Sequence, residues 1–254
     1  MEAIVFEQPL NERIRTFLRL EFLFGQYEHH RADASPFGAR ARLSVLLDIL
    51  TVLGRSDLKK DVLKDLHEQH AVLGRLSNRP GVDNSRLQVV LTEIVGAMAK
   101  LQQLTSQLAS MALRDNEFLM SIHNRSSIPG GTCAFDLPAY HYWLSQAPEQ
   151  VGADLDGWFA ELVPFAQAIL LDLRLLRGSV PLTDAMAPGG TYIHAPQTAC
   201  SLIRVFVPVD AGVYPEISAG AHRFTLRFMQ LRDVNQRSGQ AHRDIAFKLQ
   251  CCAF

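Results

Sequence analysis

One group of residues near the middle of the chain has the side chains that nucleophilic catalysis needs. Cys133 follows Gly130-Gly131, and Asp136 and His141 lie close behind it. A thiolate activated by a histidine is an attacking group of hydrolases and transferases, so the spacing permits a small Cys–His enzyme. The local pattern favours structural roles instead, because Cys133 falls in a predicted strand and Asp136 can cap the next helix. Catalysis by Cys133 and His141 is kept as the alternative.

Metal and cofactor sites have weaker support. His67 and His70 are three residues apart on one helix face, a spacing that can hold zinc, but no third ligand accompanies them. Adjacent residues of a strand point to opposite faces, so Cys251 and Cys252 do not favour a shared metal. Phosphate-binding loops, dinucleotide fingerprints and metalloprotease helix motifs do not occur. The sequence therefore predicts no cofactor and no metal.

The most regular pattern lies near the C-terminus, in the stretch from His222 to Leu231. Its apolar side is formed by aromatic and aliphatic side chains, while Arg223 and Arg227 fall on the other side. This alternation predicts a half-buried strand. The two arginines are then about 13 Å apart at ~3.3 Å per residue, and two guanidinium groups on a rigid face suit an acidic partner. Protection of a sheet edge against further pairing is the alternative role.

Four further positions extend this basic character. Arg15 and Arg19 are four residues apart on a predicted helix and share a face. Ordinary solvated charges, paired with nearby glutamates, are the alternative there. Arg125 and His141 flank the Pro-Gly-Gly turn and are candidates for the same surface.

The elements that must position these residues change character along the chain. Helical periodicity dominates up to about residue 178, and an apolar stripe of Leu10, Ile14, Phe17, Leu18 and Phe22 marks the first helix. Later helices are predicted over 37–53, after Ser56, after Asp83, from Asp115, after Asp136, and over 158–176, where Pro164 either kinks the helix or begins a new one.

Beyond residue 178 the period becomes two, which predicts strands at 191–195, 201–207, 223–231 and 244–252. A helical block followed by a strand block indicates an α+β fold with a mostly antiparallel sheet. The short strand at 3–7 has no neighbour nearby, so we expect it to join the C-terminal sheet. The predicted domains are a helical domain at 9–178 and a discontinuous β-domain formed by 1–8 and 179–254.

Composition limits the remaining classes of function. The 254 residues are 48% hydrophobic and 20% charged with a net charge of −1, so a folded protein is expected and no global field favours nucleic acid. Residues 201–254 nevertheless carry seven basic and four acidic side chains. We expect no signal peptide and no membrane span, and four cysteines suit a reducing cytoplasm.

Several segments, taken together and in order, resemble the ZapD family of cell-division proteins. No single segment is specific, but the ordered set is. The segments are Phe6–Arg13, Arg15–Leu23, Pro80–Asp83, Ser127–Gly131, Cys133–Pro138, His141 with Trp143-Leu144, Tyr214–Ser218, Arg223–Met229 and Cys251-Cys252. Glu117 departs from the pattern, because a relative has a basic residue there.

The resemblance implies a cytoplasmic, non-enzymatic homodimer that acts at the mid-cell division site. Such proteins bind the C-terminal tail of the tubulin-like GTPase FtsZ and bundle its filaments into the Z-ring during septation. The resemblance places the tail on a basic surface near the β-domain. The leucine-rich helices are expected to supply the dimer surface. The candidate tail-binding residues in this sequence are Arg15, Arg19, Arg125, His141, Arg223 and Arg227.

Overall fold

A computed structural model describes residues 2–54, 57–77, 79–104, 115–196, 198–220 and 223–254. The chain forms two compact units, one of Met1–Arg15 with Leu173–Phe254 and the other of Thr16–Asp172. We call them the β unit and the helical unit. Their bounds differ by several residues from the predicted domains, because two helices each continue from one unit into the other. The α+β fold class is confirmed.

Eight α-helices lie in the described part of the chain. They are α1 Glu12–His29, α2 Pro36–Leu53, α3 Leu58–Gly74, α4 Asn84–Gln103, α5 Glu117–Ser126, α6 Pro138–Leu144, α7 Pro148–Ala160 and α8 Val163–Arg177. Pro164 is the second residue of α8, so it begins a new helix and does not kink an old one.

Polar side chains fix where several helices begin. Asn11 accepts from the backbone N–H of Ile14 at 2.9 Å, and Asp83 accepts from that of Arg86 at 3.0 Å, as the sequence predicts. The prediction for α5 was wrong by one residue, because Asn116 and not Asp115 provides the cap. Ser56, the predicted cap of α3, lies outside the described residues.

The buried face of α1 differs from the predicted stripe. Ile14 and Phe17 are buried as expected, but Phe22 is 63% exposed. The buried positions continue instead through Leu20, Phe24 and Tyr27. At about 100° per residue this set winds steadily around one side of the helix, and Phe22 falls on the other side.

A buried polar contact ties α1, α2 and α7 together within the helical unit. The Tyr27 hydroxyl donates to the Leu155 carbonyl at 2.7 Å and accepts from Arg42 at 2.9 Å. Arg42 also donates to Asp156 at 2.6 Å, and the Tyr27 ring stacks on Phe159 with centroids 4.0 Å apart. Burial raises the pKa of Tyr27 to about 12, so this hydroxyl keeps its proton.

The β unit contains two antiparallel sheets. Its strands are β1 Ala3–Pro9, β2 Thr183–Ala187, β3 Thr191–His194, β4 Leu202–Pro208, β5 Tyr214–Ala219, β6 Phe224–Gln230, β7 Gly239–Gln240 and β8 Ile245–Cys252. One sheet has the order β1-β4-β8-β2, and the other has the order β3-β6-β5 with β7 also paired to β6. Buried residues of both sheets, among them Val205, Leu226, Phe228 and Leu249, form one core. The N-terminal strand joins the C-terminal sheet, as predicted.

Three strands are not predicted by the sequence pattern, for physical reasons. β5 contains Pro215, β2 is a short Thr-Asp-Ala-Met-Ala segment with little β-branching, and β7 is only two residues long. The strand predicted around Cys133 is wrong, because residues 128–136 form consecutive turns. Asp136 does not cap α6 either: Leu137 occupies that position and has no side-chain oxygen to offer.

One glutamate joins β1, β4 and the end of α8. Glu7 accepts from Arg177 and from Arg204, with 2.7 Å between the closest nitrogen and oxygen atoms in each pair. All three side chains are about four-fifths buried. Burial alone would raise the pKa of Glu7, but the hydrogen bonds and charges of the two arginines outweigh it and the pKa lies below its usual value.

We expect Glu7→Gln to lower the free energy of unfolding by about 2 kcal/mol at pH 7, since two partly buried arginines lose their countercharge. A carboxyl whose pKa is depressed in the folded state stabilises above its unfolded pKa of about 4.3, and this stabilisation disappears as pH falls through the folded value. The difference between wild type and variant should therefore shrink towards pH 3 in urea titrations. An equal difference at both pH values would contradict this assignment.

Candidate binding surfaces

The strand with the most regular sequence pattern, β6, has the predicted two faces. Phe224, Leu226 and Phe228 are almost completely buried in the core between the sheets. Arg227 points to solvent, and Arg223, which immediately precedes the strand, is also exposed. His222, the first residue of the predicted stretch, lies outside the described residues. The backbone thus holds Arg227 within a rigid strand and places Arg223 directly before the first residue of that strand.

The position of β6 argues against edge protection as the role of Arg227. β6 pairs with β3 on one side and with β5 on the other, so Arg227 lies opposite Thr191 and Glu216. An arginine that protects an edge must be on an outer strand, and β6 is central. This alternative from the sequence was therefore wrong.

An acidic neighbour, which the sequence pattern did not single out, modifies the charge of this face. The Glu216 carboxylate lies 3.6 Å from the Arg227 guanidinium, directly across the β5–β6 ladder. Both side chains are about half exposed, so the pair contributes little to stability. Only the strand register brings these residues together, which is why spacing along the chain could not reveal the pair.

Apolar side chains accompany the arginines on the same side of the sheet. Ile193 lies opposite Thr225 and is 63% exposed, and Tyr214 lies opposite Met229. We call this set the arginine face; its members are Ile193, Tyr214, Glu216, Arg223, Thr225, Arg227 and Met229. It combines two positive charges, one negative charge and exposed apolar surface, a composition that fits a peptide with both acidic and apolar residues.

The two arginines of α1 differ in their surroundings. Arg15 forms an ion pair with Glu12 one turn earlier and is partly covered. Arg19 is exposed, and among the described residues it has no ion-pair partner. Of the two, Arg19 is therefore the more available for an external anion. Arg15 belongs to the β unit and Arg19 to the helical unit.

The remaining candidates, Arg125 and His141, belong to the helical unit. Arg125 lies 3.6 Å from the Asp136 carboxylate, and His141 is exposed on α6. Two exposed aromatic side chains occur in the same segment, Phe135 at 84% and Tyr142 at 70%. The sequence pattern does not single out Phe135 and Tyr142, because the identity of an aromatic residue does not show whether its side chain is buried or exposed.

Cys133 has a contact that bears on the catalytic alternative. Its thiol donates to the Asp136 carboxylate at 3.4 Å, in the turns before α6. His141 donates its backbone N–H to Leu137, and its carbonyl accepts from Ser145. The described contacts thus pair the thiol with an acid instead of with the histidine that a thiolate nucleophile would need.

The residues that the structure describes contain neither a cluster of metal ligands nor a membrane-spanning helix. Within those ranges, no three histidine, cysteine or acidic side chains lie close enough to hold a metal ion. In the same ranges, no helix is both long and apolar enough to cross a bilayer.

The chain is similar to known proteins along nearly its whole length. Residues 18–227 match the family model ZapD, described as a cell division protein. The chain is 38% identical to the cell division protein ZapD of Aromatoleum aromaticum, covering 99% of this chain and 98% of the relative. It is 37% identical to that of Azoarcus sp., covering 98% and 99%, and 36% identical to that of Coxiella burnetii, covering 98% of each. The chain belongs to the ZapD family of cell division proteins.

Proposed function

We propose that this protein binds the C-terminal tail of FtsZ and cross-links FtsZ filaments at the mid-cell division site. The observation that carries the proposal is the arginine face, where Arg223 and Arg227 stand beside exposed Ile193 on a rigid sheet. Membership in a family of cell division proteins supports a role in division. The tail-binding role of these residues follows from the resemblance described above and from the chemistry of the face.

The chemistry of the face suits a disordered tail. Guanidinium groups form forked, charge-assisted hydrogen bonds with carboxylates, and exposed apolar side chains provide contact area for the aliphatic residues between them. A tail that becomes ordered on binding loses conformational freedom, so the affinity of one site should be modest. Arg19, Arg125 and His141 are proposed to add contacts.

Bundling requires more than one site in each assembly. We propose a homodimer formed through the helical unit, which offers two tail sites. Two weak sites on one particle gain effective concentration along a filament, and they can also join two filaments. In this proposal the protein works by binding alone, without an enzymatic reaction.

Salt dependence tests the electrostatic part of the proposal. We expect binding of a synthetic FtsZ tail peptide, measured by fluorescence anisotropy, to weaken about tenfold between 50 and 300 mM KCl. The charges of the arginine face are exposed, and the Debye length falls below about 8 Å over this range. Unchanged affinity would indicate a purely apolar site and would exclude the arginines as the main contacts.

Glu216 provides a prediction with the opposite sign. We expect Glu216→Gln to strengthen tail binding about two- to fivefold, because Arg227 loses an internal competitor and the acidic tail loses a repulsive neighbour. Glu2→Gln is a matched control, since Glu2 is also an exposed glutamate of the β unit. Weaker binding by the Glu216 variant would mean that this carboxylate receives a hydrogen bond from the partner.

A further inference from the structure

Two cysteines of the β unit lie side by side, away from the arginine face. Cys251 is in β8, opposite Ile203 of β4, and Cys200 lies two residues before β4 begins. Both are half-buried, and both pack against the core between the two sheets. The two thiols are near enough for each to change the pKa of the other. Two residues 51 positions apart in the chain thus form one thiol pair.

Backbone contacts hold this pair in place. The N–H of Ser201 donates to the carbonyl of Cys252 at 2.8 Å, and Leu202 pairs with Cys252 in the β4–β8 ladder. The residues that follow Cys200 and Cys251 are therefore fixed to each other. A disulfide needs its two β-carbons about 3.5–4.5 Å apart, and the backbone bond favours this geometry because it limits how far the two side chains can separate.

The environment divides the roles between the two sulfurs. The hydrogen bond from Cys251 lowers the pKa of Cys200 to about 7, against the opposing effect of burial. The same hydrogen bond, together with burial, raises the pKa of Cys251. Among the described residues, Tyr192 and Cys252 are titratable groups that interact with the pair, and burial raises the pKa of each. Of the two sulfurs, Cys200 is therefore the one that ionises more readily near neutral pH, and Cys251 keeps its proton.

We propose that Cys200 and Cys251 are a redox-active pair that hydrogen peroxide converts into a disulfide. The Cys200 thiolate attacks one peroxide oxygen and the O–O bond breaks, which leaves Cys200 as a sulfenic acid. The departing hydroxide takes up the proton that Cys200 released to solvent and becomes the first water. The Cys251 sulfur then attacks the Cys200 sulfur and the S–O bond breaks, while the Cys251 proton goes to the leaving hydroxide to form water. Two thiols and one peroxide thus give one disulfide and two waters.

Alkylation of the intact, reduced protein tests the first step. With limiting iodoacetamide at pH 7, peptide mass spectrometry should show Cys200 modified about tenfold faster than Cys133 or Cys252, because about half of Cys200 is thiolate whereas an ordinary thiol is a few per cent ionised. The rate should follow an apparent pKa near 7. Equal rates at the four cysteines, or fastest reaction at Cys133, would overturn the proposal.

Oxidation with equimolar hydrogen peroxide tests the second step. Wild type and Cys133→Ser should both yield the peptide that links Cys200 to Cys251. Cys251→Ser should instead accumulate a sulfenic acid at Cys200 that dimedone traps, and Cys200→Ser should give neither product. Thermal melts of the reduced variants show whether each is folded. In folded variants, a missing disulfide or dimedone adduct at another cysteine would overturn the proposal.

Discussion

Reversing the charge of both arginines on the arginine face, Arg223→Glu with Arg227→Glu, is expected to abolish co-sedimentation with FtsZ filaments. Each guanidinium can contribute about 1.5–3 kcal/mol through charge-assisted hydrogen bonds, and the new carboxylates repel an acidic tail. The summed loss corresponds to an affinity at least about 100-fold weaker. The double variant should remain folded, because Arg223 and Arg227 are exposed and their side chains are not part of the core.

A matched variant separates this effect from a change in net charge. Arg75→Glu with Arg79→Glu changes the net charge by the same amount at exposed positions after α3. We expect this control to pellet with the filaments like wild type. If the double variant on the arginine face pelleted equally well while its melting curve stayed normal, the arginine face would not be the binding site.

Removing the Phe228 side chain is expected to cause the largest loss of stability. Phe228 is completely buried, and its ring lies 5.1 Å from that of Phe247 across the core between the two sheets. Phe228→Ala should lower the free energy of unfolding by about 3–5 kcal/mol, through lost apolar burial and the cavity left behind. The measurement is a urea titration followed by circular dichroism.

The neighbouring residue is the control for this prediction. Met229 lies on the opposite, half-exposed side of β6, so Met229→Ala should cost about 1 kcal/mol or less. A comparable loss for the two variants would contradict the division of β6 into a buried and an exposed face. A small loss for both would mean that the core between the sheets contributes little to stability.

The β6 strand and its two faces could be predicted from the sequence, because apolar and polar residues alternate strictly and the buried side is mostly aromatic. It was equally informative for helix starts such as Asn11 and Asp83, where a single side chain meets nearby backbone. The failures have physical causes as well. Phe22 was assigned to the wrong side of α1, because several apolar residues crowd that helix and only the packing of the other helices selects one face.

The candidate site was less predictable than the strand that carries it. Arg223 and Arg227 follow from periodicity, but Glu216 and Ile193 reach the arginine face through strand register across turns. Asp136 in the helical unit could not be assigned from spacing either. Its spacing to Pro138 predicts a helix cap, but its carboxylate accepts a hydrogen bond from the Cys133 thiol and lies near Arg125. Contacts between segments decide these roles, and spacing along the chain does not encode them.

The most direct test of the proposed function is co-sedimentation with FtsZ filaments whose C-terminal tail has been removed. Full-length FtsZ should pellet this protein and form bundles in electron micrographs, whereas the truncated filaments should polymerise normally and leave the protein in the supernatant. Addition of excess free tail peptide should release the protein from full-length filaments. Equal pelleting with both forms of FtsZ would contradict tail binding and would place the partner site elsewhere.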